Sequence, residues 1–451
     1  MYRHATSFIR HWFAQDRHKP LILRGARQVG KSTLIRLFAK AENIELTELN
    51  FERNPEYATI FSSNDPKQIV TSLRLLMNQA IQPGKSILFL DEIQAAPTLL
   101  ASLRYFYEEM PTLHVVAAGS LLDFELAAPT FPMPVGRISY LHLHPMCFTE
   151  FLRAIGESAL AEFIEMWCIG GEIPAPLHRK LMALLRQCMA VGGMPEAVQS
   201  FSEHADYRQV EVIKQDLLAT FSDDFAKYTR HQDRELIRVI FQKAPSLIGR
   251  KVKYSDIHRD IAASRVAQCL NQLHMARVIC KVTRTAANGL PLAAEENAKF
   301  YKLLFLDIGL VSTMLNTSWS VLQDALMLIN QGALAEQWVG QELLSSLDDY
   351  VPPHLHYWAR EARSSSAEVD YIIAHDKPVP VEVKAGKSGA LKSLHLFMRE
   401  KGSDIALRIN ADTPSIMTVE QPLANGGRKT YPLLSLPLYM AGQARRILST
   451  R

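Results

Sequence analysis

Eight residues near the N-terminus carry the first chemistry in this sequence. Gly25-Ala26-Arg27-Gln28-Val29-Gly30-Lys31-Ser32, followed by Thr33, fits GxxxxGK[ST] at every fixed position. A strand precedes the loop and a helical pattern follows it, which is the context this spacing requires. Such a loop turns backbone N–H groups inward around phosphate oxygens, and the helix adds the positive end of its dipole. Lys31 is then placed to neutralise β- and γ-phosphates, and the Ser32 hydroxyl to ligate Mg2+. The partner half of the site is Ile87-Leu88-Phe89-Leu90-Asp91-Glu92, an apolar strand ending in two carboxylates. Ligands of open α/β sheets bind at that end of the strands. Asp91 is expected to hold Mg2+, directly or through water, and Glu92 to polarise the attacking water. The ligands that these residues call for are ATP and Mg2+. Ser120, at the end of the next strand, either reaches the γ-phosphate or the water, or simply caps a helix. Arg137 reads as an arginine finger, as a contact to the nucleotide of its own subunit, or as a solvent-facing side chain.

A second constellation lies near the C-terminus. Glu368-Val369-Asp370 leads through a turn at Asp376-Lys377-Pro378 into Val381-Glu382-Val383-Lys384. Strand alternation puts Glu382 and Lys384 on one face. This arrangement resembles the PD-(D/E)xK nuclease fold. The resemblance implies that Asp370 and Glu382 share a divalent ion while Lys384 orients water or stabilises developing charge. Glu336, on the preceding helix, matches the upstream acid of that fold and joins the metal set, whereas Glu368 reads as a neighbour. The other reading is a half-buried strand whose outer face is polar, with no chemistry. Two histidine pairs, His142/His144 and His354/His356, could each present two imidazoles to a metal; without a third ligand at convincing spacing they read as strand surface. Trp12-Phe13 and Tyr105-Phe106-Tyr107 have helical spacing and read as core.

These residues need a frame. Residues 21–23, 86–90 and 114–118 read as buried strands, with helices over 31–41 and 99–109 between them, so the first third is expected to be a parallel sheet covered on both faces. From 145 to 228 the pattern is helical: 147–154, 158–168, 177–190 and 207–220, interrupted by Gly192-Gly193-Met194-Pro195. Short helices over 234–243 and 254–261 follow. A third, capped by Ser264, places Val266, Leu270 and Leu273 on one face. With a strand over 277–282 and a loop at Asn288-Gly289, this is the outline of a winged helix. A third unit has a helix over 334–347, strands over 355–360, 369–374 and 379–384, a helix over 392–400 and a strand over 405–409.

Length, charge and cysteines bound the rest. A chain of 451 residues holds about two to four domains. Five scattered cysteines, none in a CxxC, exclude a disulfide scaffold or a cysteine-rich zinc module and fit a reducing cytosol. No apolar run is long enough to span a bilayer, and no secretory signal is expected, so the protein reads as cytoplasmic with no membrane partner. The formal net charge of +4 is uneven: residues 230–284 hold 12 Lys+Arg against 4 Asp+Glu. Such a concentration is an electrostatic footprint for nucleic acid, or else solvated helix faces. Arg250, Lys251, Lys253, Arg259 and Arg265 are the candidate phosphate contacts, with Arg265 opening the recognition helix.

The strings GARQVGKS, FLDEIQ, AAGSLLDF and GRISYLHLHP resemble the AAA+ ATPases of the AAA_14 type. Downstream, GGMPEAV, the winged-helix region and KFYKLLFLDIGL resemble the DUF4143 region that accompanies them. The resemblance covers roughly residues 18–390 and implies that Ser120 is the sensor-1 residue. The expected architecture is therefore α/β: an AAA+ P-loop core over 1–142, a helical lid over 143–229, a winged helix over 230–296 and a nuclease-like domain over 297–451. The function this implies is a Mg2+-dependent ATPase that binds DNA, branched or broken, and uses hydrolysis to reposition the nuclease-like domain in repair or defence. Self-association is a further expectation. The alternative is a signalling or regulatory ATPase whose C-terminal domain is catalytically dead and binds a protein or DNA.

Overall fold

A computed structural model describes residues 1–120, 122–127, 134–317, 331–362, 365–386, 390–423 and 426–450. Leu121 of the AAGSLLDF string lies outside them. Five strands, β1 (Leu21–Arg24), β2 (Glu45–Asn50), β3 (Ser86–Asp91), β4 (His114–Ala118) and β5 (Ser139–His142), form a wholly parallel sheet in the order β2-β3-β4-β1-β5. The central strands β3 and β4 are buried along their whole length, as a sheet covered on both faces demands. Alternation divides them cleanly. Ile87, Phe89, Val116 and Ala118 enter one apolar cluster, and Leu88, Leu90, Val115 and Ala117 another. Helix Lys31–Ala41 packs on the first face, burying Leu34, Ile35 and Phe38. Helix Pro66–Met77 packs on the second, opened by Asp65, whose carboxylate accepts from the N–H groups of Lys67 and Gln68.

The helical unit is observed as Phe148–Ala154, Ser158–Met166, Ala175–Val191, Pro195–His204 and the long Tyr207–Tyr228. Helices Arg234–Lys243, Tyr254–Ile257 and Ala263–Met275 follow, and the expected face of the third is buried through Val266, Leu270 and Leu273. Two local expectations differ. The second helix ends at Ile257 because His258 is extended, and the third starts without a side-chain cap, Ser264 falling inside its first turn.

The C-terminal sheet has eight strands. They are β6 (Ile279–Thr285), β7 (Glu296–Phe305), β8 (Leu355–Ala362), β9 (Ser365–Ala374), β10 (Pro378–Val383), β11 (Ala406–Asn410), β12 (Ser415–Pro422) and β13 (Arg428–Pro437), in the order β12-β13-β11-β10-β9-β8-β6-β7. The sheet is mixed, with β6 parallel to β8, and the β9–β10 hairpin antiparallel about the turn read from the sequence. A division at 296/297 cuts β7 at its first residue and separates strands of one sheet. The physical reason is that the hairpin β6–β7 hydrogen bonds onward to β8 rather than ending as a free wing. Helix Gln331–Ser345 is mostly buried, and the Trp338 indole donates to the Leu438 carbonyl at 3.0 Å. Gly192, Asp307 and Gly309 meet in close contact. Asp307 accepts from the N–H groups of Gly193, Gly309 and Leu310, and a Cβ at Gly192 would stand 2.2 Å from its carboxylate.

Candidate functional site at the end of the parallel sheet

β1 ends at Arg24, and the next eight residues wrap the N-terminus of helix Lys31–Ala41. Two positions require glycine: a Cβ on Gly25 would lie 2.4 Å from the Leu143 carbonyl oxygen, and Gly30 has φ +92°. Gln28, at φ +60°, gives the loop a second left-handed residue. Lys31 is buried, and its ammonium donates to the carbonyls of Gly25 (3.0 Å) and Ala26 (2.8 Å). Burial pulls its pKa down to about 8, and Glu92 opposes that fall. Thr33 is exposed on the first turn. Arg3 braces the loop from outside by donating to the carbonyls of Val29 (2.9 Å) and His144 (2.6 Å), with its Nε on Glu150. Arg27 pairs with Asp224 of the long helix Tyr207–Tyr228, which ties the loop to the helical unit.

Register delivers the acids to the same edge. The Ser32 hydroxyl donates to Asp91 Oδ1 at 2.8 Å. Burial raises the Asp91 pKa, and that hydrogen bond works against the rise. Glu92 stands at φ +50° and accepts from the Gln94 side chain. Gln94 also packs on Gly119, where a Cβ would meet its Oε1 at 2.4 Å. Ser120 is buried beside it, and its hydroxyl has no hydrogen-bond partner among the described residues. Gln94 thus links the carboxylate pair to the end of β4, a role for which its position two residues after Glu92 gave no signal. Arg36 was missed likewise; its guanidinium pairs with Glu48 and lies 3.6 Å from Asp91.

Arg137 is not at this site. It precedes β5, at the opposite end of the parallel strands, and its Nε lies 3.0 Å from Glu108. The reading in which it touches its own subunit's nucleotide is thereby corrected. His142 is also not strand surface: β5 buries it, and burial, with Arg277 and Arg24 nearby, drives its pKa down to about 3. Asp123 pairs with both Arg24 of β1 and Arg277, which follows helix Ala263–Met275.

Residues 17–152 match the family described as AAA domain (AAA_14). The parallel sheet and its loop lie within that match. Residues 182–320 and 331–422 match two families described as domains of unknown function, DUF8612 and DUF4143. No curated protein matches the chain. Among solved structures, the chain is similar to AMPPCP-bound DnaA from Aquifex aeolicus, at 10% identity and a TM-score of 0.25, over 60% of this chain and 85% of that one. It is similar to the Thermotoga maritima RuvB Holliday junction branch migration motor at 15% identity and TM-score 0.26, over 60% and 83%. Drosophila ORC bound to DNA gives 13% identity and TM-score 0.27, over 72% and 85%. The AAA_14 match covers the loop, Asp91, Glu92 and Ser120, and the DUF4143 match covers Glu336, Glu368, Asp370, Glu382 and Lys384.

That second cluster contains a residue the sequence reading missed. Lys302 of β7, only 2% exposed, points its ammonium among Glu336 (2.8 Å), Glu368 (2.6 Å) and Asp370 (3.5 Å). It passes over the Tyr357 ring at 5.4 Å. Asp370 also accepts from the Val383 N–H at 2.8 Å, and Lys384 donates to Glu382 at 2.7 Å. Glu368 is thus a full member of the cluster. Burial raises the pKa of both Glu336 and Glu382, and the surrounding carboxylates raise that of Lys302. The expected acids do converge: Lys302 supplies a positive charge among Glu336, Glu368 and Asp370, while Glu382 Oε2 is buried with no hydrogen-bond partner among the described residues.

The basic segment is partly neutralised. Arg265 is exposed but held by Asp233 at 2.5 Å and by the Gln232 carbonyl, so it is not free to open a recognition helix. Lys251 lies 3.5 Å from Glu368, and Arg277 is committed to Asp123. Arg250, Lys253 and Arg259 are exposed and make no ion pair among the described residues.

Proposed function

We propose that this protein is a Mg2+-dependent ATPase whose hydrolysis cycle moves the helical unit and, through it, a DNA-binding face and a C-terminal nuclease-like domain. The observation that carries the reading is the convergence of Lys31, Ser32, Asp91 and Glu92 at one edge of the sheet. Two oxygen ligands in adjacent octahedral positions about 2.05 Å from Mg2+ stand about 2.9 Å apart. Ser32 Oγ and Asp91 Oδ1 are 2.8 Å apart, so they fit the ion as neighbouring ligands. Bound there, Mg2+ would neutralise charge on the β- and γ-phosphates.

The chain's own residues do the rest. Lys31 exchanges the carbonyls of Gly25 and Ala26 for phosphate oxygens. Glu92 orients the attacking water and accepts its proton, and the Ser120 hydroxyl, which has no hydrogen-bond partner among the described residues, reaches the γ-phosphate or that water. Arg27 is drawn toward phosphate and away from Asp224, which transmits the nucleotide state to helix Tyr207–Tyr228. Equilibrium ATP binding and steady-state hydrolysis test this. Lys31→Ala should lose binding, and Glu92→Gln should bind ATP but hydrolyse it orders of magnitude more slowly. Wild-type turnover in both variants would refute the assignment.

One observation favours a second reading for the C-terminal domain. With Lys302 among its carboxylates, the domain is a binding module, for DNA or a protein, and does not cut. Metal-dependent cleavage of linear, single-stranded or branched DNA by purified wild-type protein, lost in Asp370→Ala or Lys384→Ala, would overturn that reading in favour of an active nuclease.

A further inference from the structure

We propose that Glu296, His354 and His356 form a site for a borderline divalent transition-metal ion of the Zn2+ class, which fastens β7 to β8 across β6. His354 directly precedes β8 and His356 is its second residue, so the two imidazoles share a face. Between them and β7 runs β6, with Thr283 opposite His356 and Thr285 opposite Glu296. The third ligand, absent from the local sequence, thus arrives from 58 residues upstream of His354 by way of the sheet.

The spacing is that of a coordination shell. Glu296 Oε2 lies 3.4 Å from His354 Nε2 and 3.6 Å from His356 Nε2, and the three atoms lie within 4.8 Å of one another. Tetrahedral ligands about 2.0–2.1 Å from Zn2+ are about 3.3–3.4 Å apart. His356 supplies an independent sign: the residue is 8% exposed, and its Nε2, aimed at the Glu296 carboxylate, is buried with no hydrogen-bond partner among the described residues. His354 is half-exposed, leaving solvent access for a fourth ligand. Thr283 Oγ1, 2.8 Å from His354 Nε2, would exchange that bond for one to a water in the fourth position. Two imidazoles and one carboxylate select a Zn2+-like ion over Mg2+ or Ca2+, which prefer oxygen alone.

Another group of potential ligands, His4, Cys147 and Glu150, is a contrast. Glu150 there is saturated by Arg3 Nε and the N–H groups of His4 and Cys147, and burial holds the Cys147 thiol well above its usual pKa. The Glu150 oxygens are thus already committed to donors of this chain.

The test is titration of Co2+ into the purified full chain, without nucleotide and in Mg2+-containing buffer, read by visible d–d absorption, with a parallel Zn2+ competition. One equivalent should give the intense bands of a tetrahedral site, bleached by Zn2+. His354→Asn and Glu296→Gln, at positions accessible enough to leave folding intact, should each weaken binding by about tenfold or more. His356→Ala should abolish it if it folds. Wild-type protein with no tetrahedral bands, or His354→Asn and Glu296→Gln titrating as wild type does, would overturn the proposal.

Discussion

Replacing Lys302 by Met removes one ammonium and almost no volume from the C-terminal cluster. The ammonium is buried within 2.8 Å of Glu336, 2.6 Å of Glu368 and 3.5 Å of Asp370. Breaking a buried ion pair by deleting one partner costs about 3–5 kcal/mol, because the other charge is left uncompensated. The cost must depend on pH. Burial already raises the folded-state pKa of Glu336 and Glu382, while Lys302 pulls both down, so its loss raises them further. A carboxyl whose folded pKa exceeds its unfolded value contributes stability below the unfolded pKa and loses it as pH rises through the folded one. Lys302→Met should therefore resemble wild type near pH 5 and be weakest near pH 8. A chain of several units has no single unfolding free energy, so the readout is hydrogen exchange over β9 and β10. At about 1.4 kcal/mol per tenfold, 3–5 kcal/mol accelerates exchange there by roughly two to four orders of magnitude. Added Mg2+ or Mn2+ should restore protection by replacing the missing charge. Unchanged exchange at both pH values would show that Lys302 does not hold the cluster together.

Three other perturbations have defined outcomes. ATP affinity should fall above about pH 8, by up to about tenfold per pH unit, because Lys31 in the free protein must regain its proton to meet phosphate; calorimetry across buffers of different ionisation heat would detect that proton uptake. Glu342 is fully buried, accepts from the Phe148 N–H at 3.0 Å and is raised to about 8 by burial. Wild type should therefore lose stability as pH rises from about 4.5 to 8, and Glu342→Gln, which keeps the acceptor, should flatten that thermal-melting profile. With Arg250, Lys253 and Arg259 as the candidate phosphate contacts that are exposed and make no ion pair among the described residues, DNA affinity should fall with salt at a log–log slope of about −2 to −3. Lys253→Ala should reduce that slope by about one, as fluorescence anisotropy would show, and salt-independent binding would remove DNA as a partner.

The phosphate-binding edge was legible because its parts are local. The eight-residue loop, the strand ending in Asp91 and Glu92, and the Ser120 turn each announce themselves within a few residues, and the parallel sheet brings them together. β4 and helix Lys31–Ala41 were readable to the residue for the same reason. β2 escaped, and β5 was read only at its His142 end, because Glu45–Asn50 and Ser139–His142 lack the apolar run of their neighbours. Lys302 and Glu296 escaped for another reason. Each meets partners tens of residues away, through a sheet whose order no local pattern encodes. The Arg265–Asp233 pair shows the converse: a charge count registers cations but not the carboxylates that occupy them.

The pairing of β6 with β8 also decides how this chain can be dissected. A fragment beginning at residue 297, chosen as though the C-terminal unit were separate, would discard β6 and leave β7 with no neighbour. β8 would then become a bare edge, its buried Leu355, Tyr357 and Ala359 next to unsatisfied N–H and C=O groups. Such edges recruit other chains, so the fragment should aggregate rather than report on activity. A fragment beginning near Arg277, about twenty residues longer, keeps the hairpin and the whole eight-stranded order and is the piece to express.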